Sequence, residues 1–419
     1  MTRSIIALFC ATMLFSIFQP QPINAAPVSD TTRIDELERK VEVLADELEA
    51  QKIGKAYVRP DQSVAGLGPA ASKIYTWEPG ISFGGYGELK ARLNLQNSDD
   101  VFDLQRLVLY TGYKFNDKWL LNAEIEFEHV FETEVEFAYL DYLARQELKF
   151  RVGHLLVPVG IFNELHEPTT FWSVDRPEVE KRIIPTTWHE NGVGLYGDIG
   201  PLAYKAYLMA GFDAEQFGPD DNGVRSIRQE GAKAKFHHPA SALRLDYKGI
   251  SGLNTGLSGY AGNAAQTLKS GGKPIDAAIY VYDGHFDWHT KGFGLRALAA
   301  FVSIPDAVKL NKALGFTAPD DTVAKFMYGT YIETGYDVLT GTGLSQQSLT
   351  PFFRYSKMNT RADVPAGFNG DGSFERQLLT AGVDYKPIDQ ITFKMDYKNT
   401  NPTSGKTTHF LNFAAGYIF

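Results

Sequence analysis

From Ile81 onward, apolar and polar residues alternate with a period of two. The segment ELKARLNL puts Leu89, Ala91, Leu93 and Leu95 on one face and Glu88, Lys90, Arg92 and Asn94 on the other. LNAEIEFEH sets Leu121, Ala123, Ile125 and Phe127 against Asn122, Glu124, Glu126 and Glu128. ITFKMDYK sets Ile391, Phe393, Met395 and Tyr397 against Thr392, Lys394, Asp396 and Lys398. Successive side chains of a strand point to opposite faces, so this alternation predicts half-buried strands. One face is apolar and aromatic; the other is densely charged. In a soluble sandwich the charged face would be outermost. In a transmembrane barrel the apolar face meets lipid and the charged face lines a wet lumen.

The links between strands carry the same message. Short links fall at 115–119, 144–147, 199–202, 249–254, 288–291, 340–346 and 386–389. Longer stretches fall at 95–101, 129–133, 157–189, 213–240, 262–274, 303–325, 359–373 and 399–406. Barrels of this kind alternate short periplasmic turns with longer external loops. Eight long and seven short links make sixteen strands. AKAKFHH (232–238) has some strand character, but counting it breaks the alternation, so it belongs to the fourth loop. The predicted fold class is all-β: a 16-stranded antiparallel transmembrane β-barrel over 81–419. The ending FLNFAAGYIF fits this scheme, with Leu411, Phe413, Ala415, Tyr417 and Phe419 on the lipid face of the last strand.

The segment before the barrel reads differently. Residues 1–25 have the layout of a cleaved signal peptide: Arg3, then apolar Ile5 to Phe18, then small Ala25 and Ala26. The apolar run is shorter than the roughly 20 residues that span a bilayer. Cys10 is the sole cysteine and lies inside that run, so the mature chain has no disulfide or thiol chemistry. Residues 26–52 hold a seam of Ile34, Leu37, Val41, Leu44 and Leu48, spaced 3, 4, 3, 4. That is a coiled-coil oligomerisation helix. Its RIDELE start resembles a motif of short trimeric coils and favours a homotrimer over a dimer. Residues 53–80, rich in Gly, Pro, Ala and Ser, read as a linker.

Composition narrows the function. A net charge of −9 opposes a general nucleic-acid partner. There is no G-x-S-x-G elbow and no Walker loop. His237 and His238 lack metal-spaced companions, and PDDNG (219–223) reads as a polar turn rather than a Ca²⁺ loop. No catalytic residue, metal or cofactor is expected, and the chain is not expected to be an enzyme. A barrel hydrolase would need Ser and His on one wall. A receptor or adhesin would need a plug or a large external domain.

The stretch Gly153–Phe212 is the most distinctive. It resembles the phosphate-selective porin O/P family in Gly153, Leu155, Pro158, Gly160, Glu167, Pro168, Ser173, Arg176, Pro177, Pro185, Trp188 and Gly194. The resemblance implies a trimeric porin in a Gram-negative outer membrane, in contact with its lipid and lipopolysaccharide. It also implies a third loop, 157–189, that folds inward and narrows the pore. Pro158, Pro168, Pro177 and Pro185, with Phe162, Phe171, Trp172 and Trp188, suit a loop that is packed rather than solvated. The solutes would be small and hydrophilic, with anions such as phosphate among them. Candidate pore residues are Arg106, Glu124, Glu126, Glu128, Lys149, Arg151, Glu164, Asp175, Arg176 and Arg182. Further lumen cations are Lys90, Arg92, Arg244, Lys248, Arg354, Arg376, Lys394 and Lys398. The third loop carries Arg176, Lys181 and Arg182 against six acids, so by count it is no anion funnel. Opposed acidic and basic walls predict a transverse field instead.

Overall fold

The computed structural model describes residue 40 and residues 64–218, 223–344, 346–370 and 372–419. The signal segment, the seam Ile34–Leu48 and most of PDDNG lie outside the described residues.

The chain folds into a closed antiparallel barrel of sixteen strands. They are β1 (Gly80–Asn94), β2 (Val101–Lys114), β3 (Trp119–Glu128), β4 (Glu132–Arg145), β5 (Leu148–Leu156), β6 (His189–Ile199), β7 (Leu202–Ala210) and β8 (Pro239–Tyr247). The second half comprises β9 (Leu253–Asn263), β10 (Ala278–Thr290), β11 (Phe293–Ser303), β12 (Phe326–Tyr336), β13 (Ser348–Asp363), β14 (Glu375–Ile388), β15 (Ile391–Pro402) and β16 (Thr408–Ile418). Each strand pairs with its sequence neighbours. β1 closes on β16, with Glu88 opposite Gly416 and Asn94 opposite Phe410. Closure leaves no free edge, which a bilayer requires. The seven short and eight long links fall where the alternation places them, and 232–238 lies in the fourth loop.

Parity also holds. Leu243 and Leu257 are 60% and 68% exposed on the outer face, whereas Arg244 and Ser258 beside them are buried. On β16, Phe413 and Tyr417 face out while Asn412 and Ala414 face in, and Phe419 continues the outward row. The apolar exterior extends over the strands, and the interior combines charged side chains such as Arg106, Glu124 and Arg244 with an apolar cluster that includes Val281, Leu298 and Val302.

Two segments occupy that interior. The stretch read as linker contains a helix, α1 (Pro69–Thr76), inside the barrel mouth. Pro69 sits in its first turn, where a missing N–H costs nothing, and Ala70, Ala71 and Lys73 that follow are good helix formers. Asn122 Nδ2 donates to Ala71 O at 3.0 Å and Lys73 Nζ to Phe83 O at 3.1 Å. The linker reading missed α1 because a one-face apolar stripe two turns long is too short to show a period. The second segment is the third loop, residues 157–188, which carries the short helix α2 (Glu178–Arg182). Helix α3 (Ala307–Leu314) lies in the sixth long loop and ends on Gly315 at φ +76°, a left-handed C-cap.

Candidate functional site

The third loop enters the lumen, as the resemblance implied, and is packed there. Phe162, Phe171, Val179, Ile183, Ile184 and Trp188 are all buried. Asn163 closes its neck: Nδ2 donates to Val157 O at 2.6 Å and to Trp188 O at 2.8 Å, while Oδ1 accepts from Trp188 N at 2.7 Å. The Trp188 indole stacks on Phe212 with centroids 4.5 Å apart. Glu180 then ties the loop to itself, accepting from the Ile161 and Phe162 N–H groups at 2.8 and 2.7 Å.

The wall holds the loop at points around its circumference. On one arc, Gly160 N donates to Asp283 Oδ2 at 3.0 Å (β10), and Arg244 of β8 donates to Gly160 O. Gly160 has φ +79°, and a Cβ there would meet Glu180 and Ile184 at 2.9 Å, so the approach requires glycine. On the next arc, Tyr331 OH of β12 donates to Glu180 at 2.6 Å and Arg354 of β13 to Ser173 Oγ at 2.7 Å. Val174 N donates to Asp396 of β15 at 2.6 Å. On β1, Lys90 and Arg92 reach Asp175 at 3.1 and 3.3 Å, and Lys398 of β15 reaches Glu178 at 2.8 Å. On β2, Arg106 Nη2 donates to His166 O at 3.1 Å.

These contacts change the meaning of five of the six acids counted in the sequence; the sixth, Glu190, lies on β6 and accepts from Gln229 N at 2.9 Å. Glu164 pairs with Lys205, Asp175 with Lys90 and Arg92, and Glu178 with Lys398 and Arg182. Glu167 accepts from the Ala70 and Ala71 N–H groups at 3.1 and 3.0 Å, at the N-terminus of α1. A carboxylate is favoured there by unpaired N–H groups and the helix dipole. Glu180 is satisfied by N–H groups and a tyrosine. The acids therefore dock the loop rather than line a passage. Burial works to raise the Asp175 pKa, but Lys90, Lys398 and Arg92 outweigh it and hold the carboxyl well below the usual range. Glu178 is likewise lowered, by Lys398, Arg182 and Lys181 against burial.

The structure separates the other candidates. Arg106, Glu124 and Glu126 meet behind the loop: Arg106 lies 3.3 Å from Glu88 and 3.6 Å from Glu126. Arg151 is locked in a different cluster. It donates to Asp141 at 2.8 and 2.9 Å and to Tyr75 OH at 2.7 Å, and stacks over Tyr139 at 3.8 Å. Lys149 pairs with Asp198 at 3.1 Å near the short-link end. Glu128 lies at the far end of β3 and, with Glu132, Glu134 and Glu230, lines a cavity of about 550 Å³. Arg176 and Lys181 lie near Arg225 of the fourth loop, while Lys181 and Arg182 also flank Glu178, to which Arg182 Nε donates at 3.0 Å. One terminal nitrogen of Arg176 has no hydrogen-bond partner among the described residues. Arg225 donates to Thr186 O and Arg228 to Pro185 O at 3.2 Å, which fastens the fourth loop onto the third. Burial lowers the Arg225 pKa, and neighbouring Arg228 and Arg176 lower it further, to about 10, so it remains charged at pH 7. Lys248 is not in the lumen; it is exposed in the turn after β8. Among the strand residues, the sequence reading passed over Asp141, Asp283 and Glu333, although inward parity marks each, and it placed Asp396 on the polar face without giving it a role. His166 and Glu167 sit in irregular chain and had no period to mark their direction.

The fold and its inward loop define a class: the sixteen-stranded barrel of the outer-membrane porins. Solved structures share it. DcaP, the outer membrane channel of Acinetobacter baumannii, is 13% identical with a TM-score of 0.54, covering 81% of this chain and 97% of that one. Salmonella typhi OmpF gives 11% identity and a TM-score of 0.53, over 81% and 97% of the two chains. The anion-selective porin from Comamonas acidovorans gives 10% and 0.53, over 82% and 100%. No family model matches the chain. By sequence, it belongs to the family of an uncharacterized protein of Aquifex aeolicus (strain VF5), 37% identical over 369 residues, which are 85% of this chain and 84% of that protein.

Proposed function

We propose that the protein is an outer-membrane porin through which small hydrophilic solutes and ions diffuse passively, with anions, including phosphate, preferred. The observation that carries this reading is a closed barrel with an apolar exterior, a charged interior and a third loop docked inside it. The reading treats the chain as a channel and not as an enzyme.

Anion preference is supported by the placement of charge. The loop's acids are held in ion pairs or by N–H and hydroxyl donors, whereas Arg176 and Lys181 stand near Arg225, with Arg228 next to it. Guanidinium groups suit phosphate because their paired donors match its oxygens. The cavity lined by Glu128, Glu132, Glu134 and Glu230 lies beside these arginines, with Arg228 paired to Glu230. Acidic and basic groups that adjoin in this way give a local field that orients dipolar solutes. The likeness to the phosphate-selective porins rests on the Gly153–Gly194 motif, and it extends the reading to a homotrimer held partly by the coiled coil of 26–52. A cleaved signal at 1–25 would deliver the chain to a membrane rich in lipopolysaccharide.

Planar-bilayer recording tests the proposal. In a tenfold KCl gradient, the reversal potential is expected on the anion side, and millimolar phosphate is expected to reduce the chloride current. A reversal potential on the cation side overturns the anion preference. Absence of conductance from correctly folded protein overturns the channel itself.

A further inference from the structure

Strands β3 and β4 bring Glu124, Glu126 and Glu136 to the inner wall, each 2% exposed or less. Among the described residues, the guanidinium that meets them is Arg106, and Arg106 is shared with Glu88. Buried carboxylates without enough counter-charge are costly, and that cost falls when a cation or a proton joins them. One oxygen, Glu124 Oε2, is buried with no hydrogen-bond partner among the described residues.

The third loop carries His166, itself 1% exposed, into this space. Its Nδ1 lies 3.0 Å from Asn163 O. A carbonyl can only accept, so Nδ1 bears the proton and Nε2 points at the carboxylates. A backbone carbonyl that accepts from the other ring nitrogen fixes the tautomer of metal-ligating histidines in the same way. Nε2 lies 3.3 Å from Glu124 Oε1 and 3.1 Å from Glu136 Oε2. The donor atoms of the three residues all lie within 4.8 Å of one another. Around an ion with bonds of about 2.0–2.2 Å, neighbouring donors stand roughly 3.0–3.5 Å apart. The supporting contacts also suit a ligand role: Thr187 Oγ1 donates to Glu136 Oε1 at 2.9 Å, leaving Oε2 free.

We propose that Glu124, Glu136 and His166 Nε2 form a site for one divalent transition-metal ion, with zinc as the reference ion, which fastens the third loop to the β3–β4 wall. An imidazole beside two carboxylates favours zinc, manganese or ferrous iron over calcium or magnesium. The site joins a loop residue to two strand residues, so the bound ion would crosslink the docked loop. The inference stands apart from the transport reading, because it concerns how the loop is held and not what passes it.

The test uses the full mature chain, refolded or extracted in detergent and stripped with EDTA. Calorimetric titration with ZnCl₂, with metal content measured after desalting, is expected to give one zinc per chain. Glu124→Gln, Glu136→Gln and His166→Gln should each weaken binding at least about tenfold. Each variant is checked for folding by its heat-dependent shift on gels. His237→Ala, in the fourth loop, should bind as the parent does. No saturable zinc binding by the parent overturns the proposal and leaves an imidazolium bridging the two carboxylates. Equal zinc binding by the parent and all three ligand variants also overturns it, by placing the ion elsewhere. A channel that conducts but binds no zinc removes this inference alone; zinc binding without conductance removes only the transport reading.

Discussion

At Glu126 and Lys181, the same kind of residue-level evidence leads to opposite expectations. Both were legible from the sequence as charges in the lumen region. Parity says only that Glu126 points inward. It does not say whether a loop or water lies against it. In the structure Glu126 is buried behind the loop, facing Arg106, so a cation there would disturb packing. Lys181 is exposed on the loop's other side, near Arg176 and Arg225. Lys181→Glu is therefore expected to move the reversal potential towards cations in salt-gradient bilayer recordings. It should also cost about 0.5–1 kcal/mol of stability, because it sets a like charge beside Asp175 and Glu178, whose carboxyls Lys181 helps to keep ionised. An unchanged reversal potential would place Lys181 off the conduction path.

Among the elements, the strands were the most readable and the third loop the least. Strands announce themselves because one face meets apolar surroundings and the other does not, and a single-residue slip would exchange them. The loop's inward course came from resemblance and from its prolines and aromatics. Its docking partners did not, because Lys90, Lys398 and Asp396 lie up to 222 residues away in sequence. The docking has a pH signature. The Asp175 and Glu178 carboxyls have folded pKa values below their ordinary 3.8 and 4.5. Groups depressed in this way add stability that is complete above the ordinary value and lost as pH falls through the folded one. Hydrogen exchange over residues 173–183, corrected for its intrinsic pH dependence, should stay constant from pH 8 to 5 and accelerate below about pH 4. Lys398→Met should shift that acid limb towards neutrality, since it removes the principal cation beside Glu178 and a further one beside Asp175. A pH-independent exchange profile would mean that these ion pairs do not hold the loop.

The molecule as a whole depends on which of its two surfaces faces hydrocarbon. Leu243 lies in the middle of β8, and its side chain is 60% exposed on the outer surface. Its neighbours on that surface include Val193, Leu195 and Leu208, with Trp119 and Phe150 further along. Water would make this surface an aggregation hazard; lipid makes it the solvent-facing side of a folded barrel. The two situations respond differently to one charge. If Leu243 lies near the bilayer midplane, Leu243→Arg should destabilise folding into phospholipid vesicles by about 2–4 kcal/mol, as lipid-facing arginines do there. In a water-soluble barrel the same exposed substitution would cost no more than about 0.5 kcal/mol and would improve solubility. Ser241→Arg, two residues nearer the strand's long-loop end on the same face, should cost less, because the penalty falls towards the interface. Urea titration of vesicle-refolded protein, followed by tryptophan fluorescence, distinguishes the cases. A graded loss ordered by depth fixes the barrel in a membrane. A flat response at both positions would put the outer surface in water, and with it would go the lumen as a path between two compartments.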